Sequence, residues 1–186
     1  MKALIIYESM YGNTHVVAEA VAEGLRSTGE AKVVPASHLE QADFADVDLL
    51  VLGAPTHVHG LPRLSTRRSA EKAAQSSHGR LAMDSGMDAE HGIRSILDEL
   101  PRGAEAALPK KAAAFDTRLS GPAMFTGSAG RKLARSLRRH GYTGAAAPAS
   151  FFVDRQDHLL DGEIARAKTW GESLAGQVAT PPSQGA

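Results

Sequence analysis

The sequence predicts a doubly wound α/β domain, with a five-stranded parallel sheet in the order 2-1-3-4-5 and helices on both faces in three layers. Three observations support this prediction. Short apolar runs alternate with longer amphipathic segments, as right-handed βαβ units require. The strongest runs are apolar without interruption, which is typical of strands buried on both faces. The chain has 186 residues, enough for one domain with a real core and few for two.

Five segments have the pattern of strands, and in chain order they are Lys2–Tyr7, Ala31–Ala36, Asp48–Gly53, Lys110–Phe115 and Ser150–Val153. The first and third are the most strongly apolar of the five. The second contains Pro35, which has no N–H to donate and therefore favours an edge strand or the end of a strand. A sheet with a weak second strand at its edge agrees with the predicted order.

Helical periodicity fills the intervals between these strands. From Asn13 to Arg26 the apolar residues fall on one helical face, and Ser27-Thr28-Gly29 ends the helix. The same reasoning predicts further helices at Ser65–Ser77, Gly92–Leu100, Gly127–His140 and Gly162–Val178. Helices at these places would cover both faces of the sheet.

We expect a single domain over residues 1–179, followed by a disordered tail at 180–186 that reads TPPSQGA after Ala179. Residues 64–92, between the third and fourth strands, form an insertion that we expect to be mobile. This insertion has few large apolar residues, and its basic side chains have little to pack against in the sequence pattern (Arg67, Arg68, Lys72 and Arg80).

Composition excludes several classes of function. Lys plus Arg and Asp plus Glu number 21 each, and a net charge of zero argues against a dedicated nucleic-acid binder. The chain has no Cys, so it forms no disulfide and has no thiolate nucleophile or thiolate metal ligand. No apolar stretch approaches the roughly 18 residues of a membrane span, and the first apolar run is too short for a signal peptide. We therefore expect a cytoplasmic protein.

Ligands of an open parallel sheet bind beyond the carboxyl ends of its strands, beside the point where the strand order reverses. In the predicted order this position belongs to the loops after strands 1, 3 and 4. These loops are Glu8–Thr14, Ala54–Arg63 and Asp116–Ser128.

The first loop is part of the stretch YESMYGNT, in which Ser9, Gly12, Asn13 and Thr14 open a helix. A helix N-terminus has unpaired N–H groups and a partial positive charge, so a phosphate can bind there without a basic residue. Two other phosphate loops are excluded, because GxxxxGK[ST] needs a lysine and GxGxxG needs three glycines. What remains is a pocket for one terminal phosphate, with an ordinary helix cap as the alternative.

The second and third loops have polar side chains that could face a ligand. In GAPTHVHGLPR, Pro55 and Gly60 shape the backbone while Thr56, His57 and His59 supply polar edges. A His-x-His pair is also compatible with metal binding, but no third His or Cys and no acidic cluster lies nearby. We predict neither a metal site nor catalytic side chains. In the third loop, Arg118 and Phe125 could cover a flat ring, although core packing is an equal alternative for Phe125.

These motifs resemble a known family. YESMYGNT, followed by a helix rich in Ala, Val and Glu, resembles the FMN-binding signature of the flavodoxin family. GAPTHVHG resembles that family's loop after strand 3, and DGEIARAKTWGESLA resembles its last helix. Within the same fold, SMYGN is closer to the quinone reductases. The resemblance covers nearly the whole chain except residues 65–90, and it implies a flavodoxin-like fold with FMN as the cofactor.

The resemblance also implies which residues hold FMN. The phosphate is held by the first loop, at Ser9, Met10, Tyr11, Gly12, Asn13 and Thr14. The isoalloxazine ring is flanked by Pro55, Thr56, His57, Val58, His59 and Gly60, and by Asp116, Thr117, Arg118 and Gly121 within the segment 116–121. The phosphate would then be held by N–H and O–H groups alone, which accounts for the missing lysine.

Three functions stay open at this point. The first is electron transfer to a redox partner protein, which needs no catalytic acid or base because the flavin does the chemistry. The second is an NAD(P)H-dependent quinone reductase or a related FMN oxidoreductase, with His57, His59 or Arg118 beside the substrates. The third is a regulatory or binding domain without flavin, although a phospho-acceptor domain of this strand order needs an acid pair where Glu8 stands alone. We expect no nucleic-acid partner and leave the oligomeric state open.

Overall fold

The computed structural model describes residues 1–57, 60–77, 81–88, 90–100 and 111–179. The strands in these ranges are β1 Lys2–Tyr7, β2 Glu30–Pro35, β3 Leu49–Pro55, β4 Lys111–Leu119, β5 Thr143–Gly144 and β6 Ala149–Val153. The α-helices are α1 Asn13–Leu25, α2 Leu64–Ser76, α3 Ile93–Glu99, α4 Ala123–Thr126, α5 Ala129–Arg139 and α6 Glu163–Ala179. Two short 3₁₀ helices, Ala36–His38 and Gln41–Phe44, lie between β2 and β3. The predicted tail at 180–186 lies outside the described residues.

The sheet is parallel and confirms the predicted order 2-1-3-4-5. β1 lies between β2 and β3, β3 pairs with β4, and both β5 and β6 pair with β4 at the far edge. The fifth strand is therefore split in two, which the sequence analysis did not predict. From Lys111 to Phe115, β4 advances four residues, while its neighbour advances six from Thr143 to Ala149. The two extra residues interrupt the ladder beside Pro148, whose nitrogen has no hydrogen to donate.

The alternation of side chains along the buried strands supplies two apolar layers, one on each face of the sheet. Leu4, Leu50 and Ala112 face the layer that contains α3 and α5. On the other face the neighbouring residues of the same strands pack against α1 and α6. There, Phe115 contacts the rings of Phe151 and Trp170 edge-to-face, at centroid distances of 5.9 and 6.1 Å. These two layers hold the sheet edges and helix starts in fixed positions.

Most element boundaries lie within one or two residues of the prediction, but β4 does not. We expected it to end at Phe115, and it continues to Leu119. Asp116, Thr117 and Arg118 therefore lie inside the strand, not in the loop after it, and all three are buried and paired with β6. The change from apolar to polar side chains did not mark the end of the strand, because each of these side chains makes hydrogen bonds inside the protein through at least one of its polar atoms.

The segment 64–92 is joined to the sheet by a buried ion pair. Arg67 of α2 donates from Nε to Glu8 Oε1 at 2.7 Å, and both side chains are about 5% exposed. Glu8 Oε2 also accepts from the backbone N–H of Ile93, at the start of α3, at 2.9 Å. The expectation that Arg67 has little to pack against was therefore wrong, because its partner lies outside the segment at the end of β1. Mobility of residues 64–92 stays a prediction.

No helix in the described part of the chain is long and apolar enough to cross a membrane.

Replacing Arg67 by Met should lower the free energy of unfolding by about 3–5 kcal/mol, because Glu8 would be left as an unpaired charge in a buried site. Urea unfolding followed by circular dichroism measures this change. Arg68→Met is the matched control, since Arg68 in the same helix pairs with Glu90 at an exposed position. The control should cost less than about 1 kcal/mol. If both variants lost the same free energy of unfolding, the role of the buried Arg67–Glu8 ion pair in joining residues 64–92 to the sheet would be contradicted.

Candidate functional site

A cavity of about 660 Å³ opens at the carboxyl edge of the sheet, where β1, β3, β4 and β6 end. Its volume lies in the range of small-molecule and cofactor sites. The residues that line it are Ser9, Met10, Tyr11, Asn13, Thr14, Pro55, Thr56, His57, Thr117, Arg118, Leu119, Thr126, Val153, Asp154, Arg155 and Asp157. The position beside the reversal of strand order is the one predicted for a ligand.

The turn between β1 and α1 presents backbone N–H groups to this cavity. Gly12 has φ of +91°, a left-handed conformation that side chains rarely adopt, and α1 begins at the next residue. Ser9 Oγ accepts the N–H of Gly12 at 3.0 Å, which leaves the hydroxyl hydrogen of Ser9 available to donate. The first N–H groups of α1 have no acceptor within the helix. Together with the helix dipole, they favour an anion at this position, which is therefore a candidate anion site.

A pair of threonines forms the floor of this anion site. Thr14 Oγ1 and Thr117 Oγ1 lie 2.7 Å apart, and both residues are buried. Their hydrogen bond uses one of the two hydroxyl hydrogens, so the other remains to donate to a ligand. The bond also fixes the first turn of α1 against β4. The two threonines therefore combine a donor with a rigid position.

Asn13 joins the β1–α1 turn to the loop that follows β6. Its side-chain Nδ2 donates to the backbone carbonyl of Asp157 at 2.6 Å. The side chain is thus engaged within the protein, and the backbone N–H of Asn13 is the group left for an anion. Asp157 itself adopts a left-handed backbone conformation, with φ of +60°.

Asp116 is a buried hub between three elements. Its Oδ2 accepts from Ser128 Oγ at 2.7 Å, from the backbone N–H of Gly130 at 2.9 Å and from Thr56 Oγ1 at 3.0 Å. The carboxylate is fully buried and does not line the cavity. It fixes the start of α5 and the residue that follows β3, and so holds one wall of the cavity in place.

Arg118 lines the cavity and braces the loop after β4. One guanidinium nitrogen, Nη1, donates to the carbonyl of Gly121 and to Thr126 Oγ1, both at 2.7 Å. The guanidinium lies 4.8 Å from the centre of the Phe152 ring, a cation–π contact. Its Nε lies 3.9 Å from Asp116 Oδ1, and these two buried atoms have no hydrogen-bond partner among the described residues. Arg118 thus places a buried positive charge at the cavity wall, partly offset by Asp116.

The loop after β6 supplies lining residues that the sequence analysis missed: Asp154, Arg155 and Asp157. Burial raises the pKa of Asp157, and repulsion from Asp154 raises it further. The backbone N–H of His158 lowers the pKa of Asp154 by donating to its carboxylate. These residues follow the carboxyl end of a strand just as the predicted loops do. That signal was present, but the expected strand order directed attention to strands 1, 3 and 4.

Residues 81–88 pack against the β1–α1 turn on the side of β2. The N–H of Asp84 donates to the carbonyl of Met10 at 2.9 Å, and Asp84 Oδ2 lies 3.1 Å from His15 Nδ1. The ring of His15 stacks on Tyr7 at 4.6 Å between centroids. Burial raises the pKa of Tyr7, and the nearby charges of Asp84 and Glu19 raise it further. This part of the insertion is thus a wall of the β1–α1 turn.

Of the predicted site residues, ten line the cavity: Ser9, Met10, Tyr11, Asn13, Thr14, Pro55, Thr56, His57, Thr117 and Arg118. Gly12, Gly60, Asp116 and Gly121 are not among the lining residues and act through backbone geometry or hydrogen bonds to the residues that are. His57 and Gly60 exchange two backbone hydrogen bonds of 2.9 and 3.0 Å. Val58 and His59 lie outside the described residues. In the described chain, no group of three His, Asp or Glu side chains is arranged for a metal ion.

Comparison with known proteins gives matches in sequence over part of the chain. The family model described as flavodoxin matches residues 5–91. An NAD(P)H dehydrogenase (quinone) of Geotalea uraniireducens is 37% identical over a stretch that covers 30% of this chain and 40% of that protein. A flavodoxin of Aquifex aeolicus is 43% identical over 31% of this chain and 32% of that protein. The chain thus spans less than half the length of these curated relatives.

Comparison of structures covers almost the whole chain. A flavodoxin from the domain Archaea superposes with a TM-score of 0.64 and 19% identity, over 97% of this chain and all of that one. Flavodoxin 1 of Bacillus cereus superposes with a TM-score of 0.61 and 19% identity, over 95% of this chain and 98% of that one. At this identity the likeness shows the fold, and it confirms the predicted flavodoxin-like architecture.

Replacing Asp116 by Ala should lower the free energy of unfolding by about 3–5 kcal/mol, because three hydrogen-bond donors would lose their acceptor and the buried Arg118 guanidinium would lose the carboxylate that partly offsets its charge. Urea unfolding measures the loss. Asp48→Ala is the control, since the exposed Asp48 carboxylate accepts one bond from the backbone N–H of Lys2. That variant should lose about 1 kcal/mol. If Asp116→Ala lost no more free energy of unfolding than the control, Asp116 would not be the buried hydrogen-bond hub described above.

Proposed function

We propose that this chain, which belongs to the flavodoxin-like family, binds FMN and transfers electrons to and from a redox partner protein. The family match begins within β1 and covers the turn into α1, α1 itself, β2, β3 and α2, and so includes the candidate anion site. The observation that carries the proposal is the start of α1, where unpaired N–H groups and two hydroxyl donors meet beside a cavity of cofactor size.

The donors at the β1–α1 turn fit one terminal phosphate. Backbone N–H groups of the first turn of α1 and the hydroxyls of Ser9 and Thr14 are neutral donors, and hydrogen bonds from such donors to an anion are charge-assisted. The sequence contains no second glycine-rich turn at the end of a strand that could hold a pyrophosphate, which favours FMN over FAD. In the proposal, Ser9, Met10, Tyr11, Gly12, Asn13 and Thr14 surround the phosphate.

The isoalloxazine ring is proposed to lie between the end of β3 and the end of β4. Pro55, Thr56 and His57 line one side of the cavity, and Thr117, Arg118 and Leu119 line another. Bound flavin supplies one-electron and two-electron chemistry, so the protein needs no acid–base pair of its own. The task of these side chains is to position the ring, limit its contact with water and set the local charge.

The local charge at the cavity contains both signs. Arg118 and Arg155 contribute positive charge, while Asp154 and Asp157 contribute negative charge. Burial raises the pKa of Asp157, and the nearby charge of Asp154 raises it further. A flavin that gains negative charge on reduction would be stabilised by these arginines and destabilised by these carboxylates.

Spectroscopy tests the cofactor directly. Purified protein should show the visible absorption bands of an oxidised flavin. Chromatography should identify the released cofactor as FMN. Protein isolated without flavin should take up FMN when it is added. Failure to bind FMN in either form would contradict the proposal and favour the flavin-free binding domain.

A quinone reductase is the second candidate function. Two curated relatives, from Geotalea uraniireducens and Cupriavidus metallidurans, are named NAD(P)H dehydrogenase (quinone). A cavity of about 660 Å³ could admit a small quinone or a nicotinamide ring beside the flavin. Rapid bleaching of the flavin by NADPH alone, followed by reoxidation with a benzoquinone, would favour this enzyme. Slow bleaching by NADPH would favour the electron-transfer protein. For either function we propose a cytoplasmic location.

Thr14→Ala should weaken FMN binding by about one to two orders of magnitude, because it removes a charge-assisted hydrogen bond worth roughly 1.5–3 kcal/mol. Quenching of flavin fluorescence measures the affinity. Thr117→Val should weaken binding as well, since Thr117 Oγ1 fixes the hydroxyl of Thr14. Thr28→Ala, at the exposed far end of α1, is the control and should leave the affinity unchanged. Unchanged affinity in Thr14→Ala would place the phosphate elsewhere.

Arg155→Ala should make the potential for flavin reduction more negative by some tens of millivolts, because it removes an exposed positive charge from the cavity rim. Spectroelectrochemical titration at low ionic strength measures the shift. Arg26→Ala makes the same change in net charge at the far end of α1 and should have little effect. The same shift in both variants would show that net charge, rather than the charge at the cavity, sets the potential.

A further inference from the structure

Helix α5 has a strongly basic exposed face. Its sequence, AGRKLARSLRR, contains five basic residues and no acidic residue. Leu133 and Leu137 are buried in the core beneath the helix. The arginines on the other face are all exposed, namely Arg131, Arg135, Arg138 and Arg139. Spacings of three and four residues place them on one stripe along the helix.

The helix does not need this cluster for its own stability. Arg138 and Arg139 lie in the last turn, where the helix dipole favours positive charge. Arg131 lies in the first turn, where the dipole disfavours it, and Arg131 and Arg135 repel each other at a spacing of four residues. Leu133 and Leu137 already supply the packing. The cluster therefore has a cost that helix formation does not explain.

Among the residues that the structure describes, no carboxylate forms an ion pair that neutralises one of these four arginines. By contrast, Arg68 on α2 pairs with Glu90 and Lys168 on α6 pairs with Glu23. The face is thus positive in a chain whose formal net charge is zero. Five of the 21 Lys and Arg residues lie on α5, which leaves 16 against 21 Asp and Glu residues elsewhere. Positive charge is therefore concentrated on α5, while the rest of the chain has more acidic than basic residues.

The basic face begins at the rim of the cavity. The N–H of Ala129, the first residue of α5, donates to Thr56 Oγ1 at 2.7 Å, and Thr56 lines the cavity. Thr126, just before the helix, lines it too. The exposed arginines run from Arg131 to Arg139, so at 1.5 Å per residue the basic face extends about 12 Å along the helix. A protein bound along this face would lie beside the cavity opening.

We propose that the exposed face of α5 is the docking surface for an acidic patch on the redox partner protein. This inference rests on the proposed function and adds the chemistry of the partner to it. Complementary charge steers two proteins together and raises the rate of association, most strongly at low salt. Docking beside the cavity would shorten the path for one electron to pass between the partner's cofactor and the flavin.

A protein partner suits this surface better than a nucleic acid does. Nucleic-acid binders carry a large positive charge over a whole domain, because they track an extended phosphate backbone. Outside α5 this chain has an excess of acidic residues, which would repel phosphates beyond the patch. A compact basic patch, in a chain whose other residues have an excess of acidic over basic side chains, matches a compact acidic patch of similar size.

The test uses the FMN-loaded protein and two probe proteins of opposite charge. An acidic [2Fe–2S] ferredoxin is reduced and mixed with the oxidised protein in a stopped-flow instrument at low ionic strength. In each transfer one electron leaves the iron–sulfur cluster and is accepted by the flavin. Arg135→Glu combined with Arg138→Glu should lower the second-order rate constant by about tenfold or more. With basic cytochrome c as the electron acceptor, the same variant should react faster.

The matched control makes the same change in net charge on the opposite layer. Arg26→Glu combined with Lys168→Glu alters exposed residues at α1 and α6. This control should change the rate with ferredoxin by less than about twofold. Thermal unfolding and the flavin spectrum establish that both double variants are folded and loaded. Equal losses of rate in the two variants would overturn the docking surface, since net charge alone would then explain them.

Two further measurements distinguish a wrong docking surface from a wrong proposed function. Binding of fluorescently labelled ferredoxin, followed by anisotropy, requires no electron transfer. Binding that depends on Arg135 and Arg138 would support the surface even if the protein were not an electron carrier. Tight binding of a labelled 20-mer RNA or DNA at physiological salt, lost in the same variant while the ferredoxin rate is unchanged, would overturn the inference in favour of a nucleic acid.

Discussion

The turn between β1 and α1 is the constraint on which the rest of the site depends. Gly12 adopts a left-handed conformation that directs the first N–H groups of α1 at the carboxyl edge of the sheet. Buried N–H groups without acceptors are costly, so a fold retains them where a ligand or water completes them. The Thr14–Thr117 hydrogen bond then fixes the direction of the helix start relative to β4. Everything proposed for the cofactor follows from this arrangement.

The surrounding structure holds this turn from several sides. Glu8, next to Ser9, is fixed by Arg67 and by the N–H of Ile93. Asp84 bonds to the carbonyl of Met10, and Asn13 bonds to the carbonyl of Asp157. These contacts come from four separate parts of the chain. A preorganised anion site has less conformational entropy to lose on binding, which favours affinity.

The sequence predicts the sheet order and the anion-binding turn, because both depend on local patterns. Apolar runs mark the strands, and Gly12 followed by Asn13 and Thr14 marks the helix start. It does not predict that Asp116 lies inside β4 and acts as a hub, because its partners Thr56, Ser128 and Gly130 are distant in sequence. The sequence did not predict the pairing of Arg67 with Glu8 for the same reason, since these residues are also distant in sequence. The break between β5 and β6 depends on register with β4, which single-strand patterns do not contain.

The most direct test of the account compares FMN with riboflavin, which differs from FMN only by the absence of the phosphate. If the start of α1 holds a phosphate, FMN should bind about a hundredfold tighter or more, since several charge-assisted hydrogen bonds are lost with riboflavin. Titration followed by flavin fluorescence gives both dissociation constants under the same conditions. Equal affinities for the two flavins would contradict the account, because the turn at Gly12 would then contribute nothing to binding.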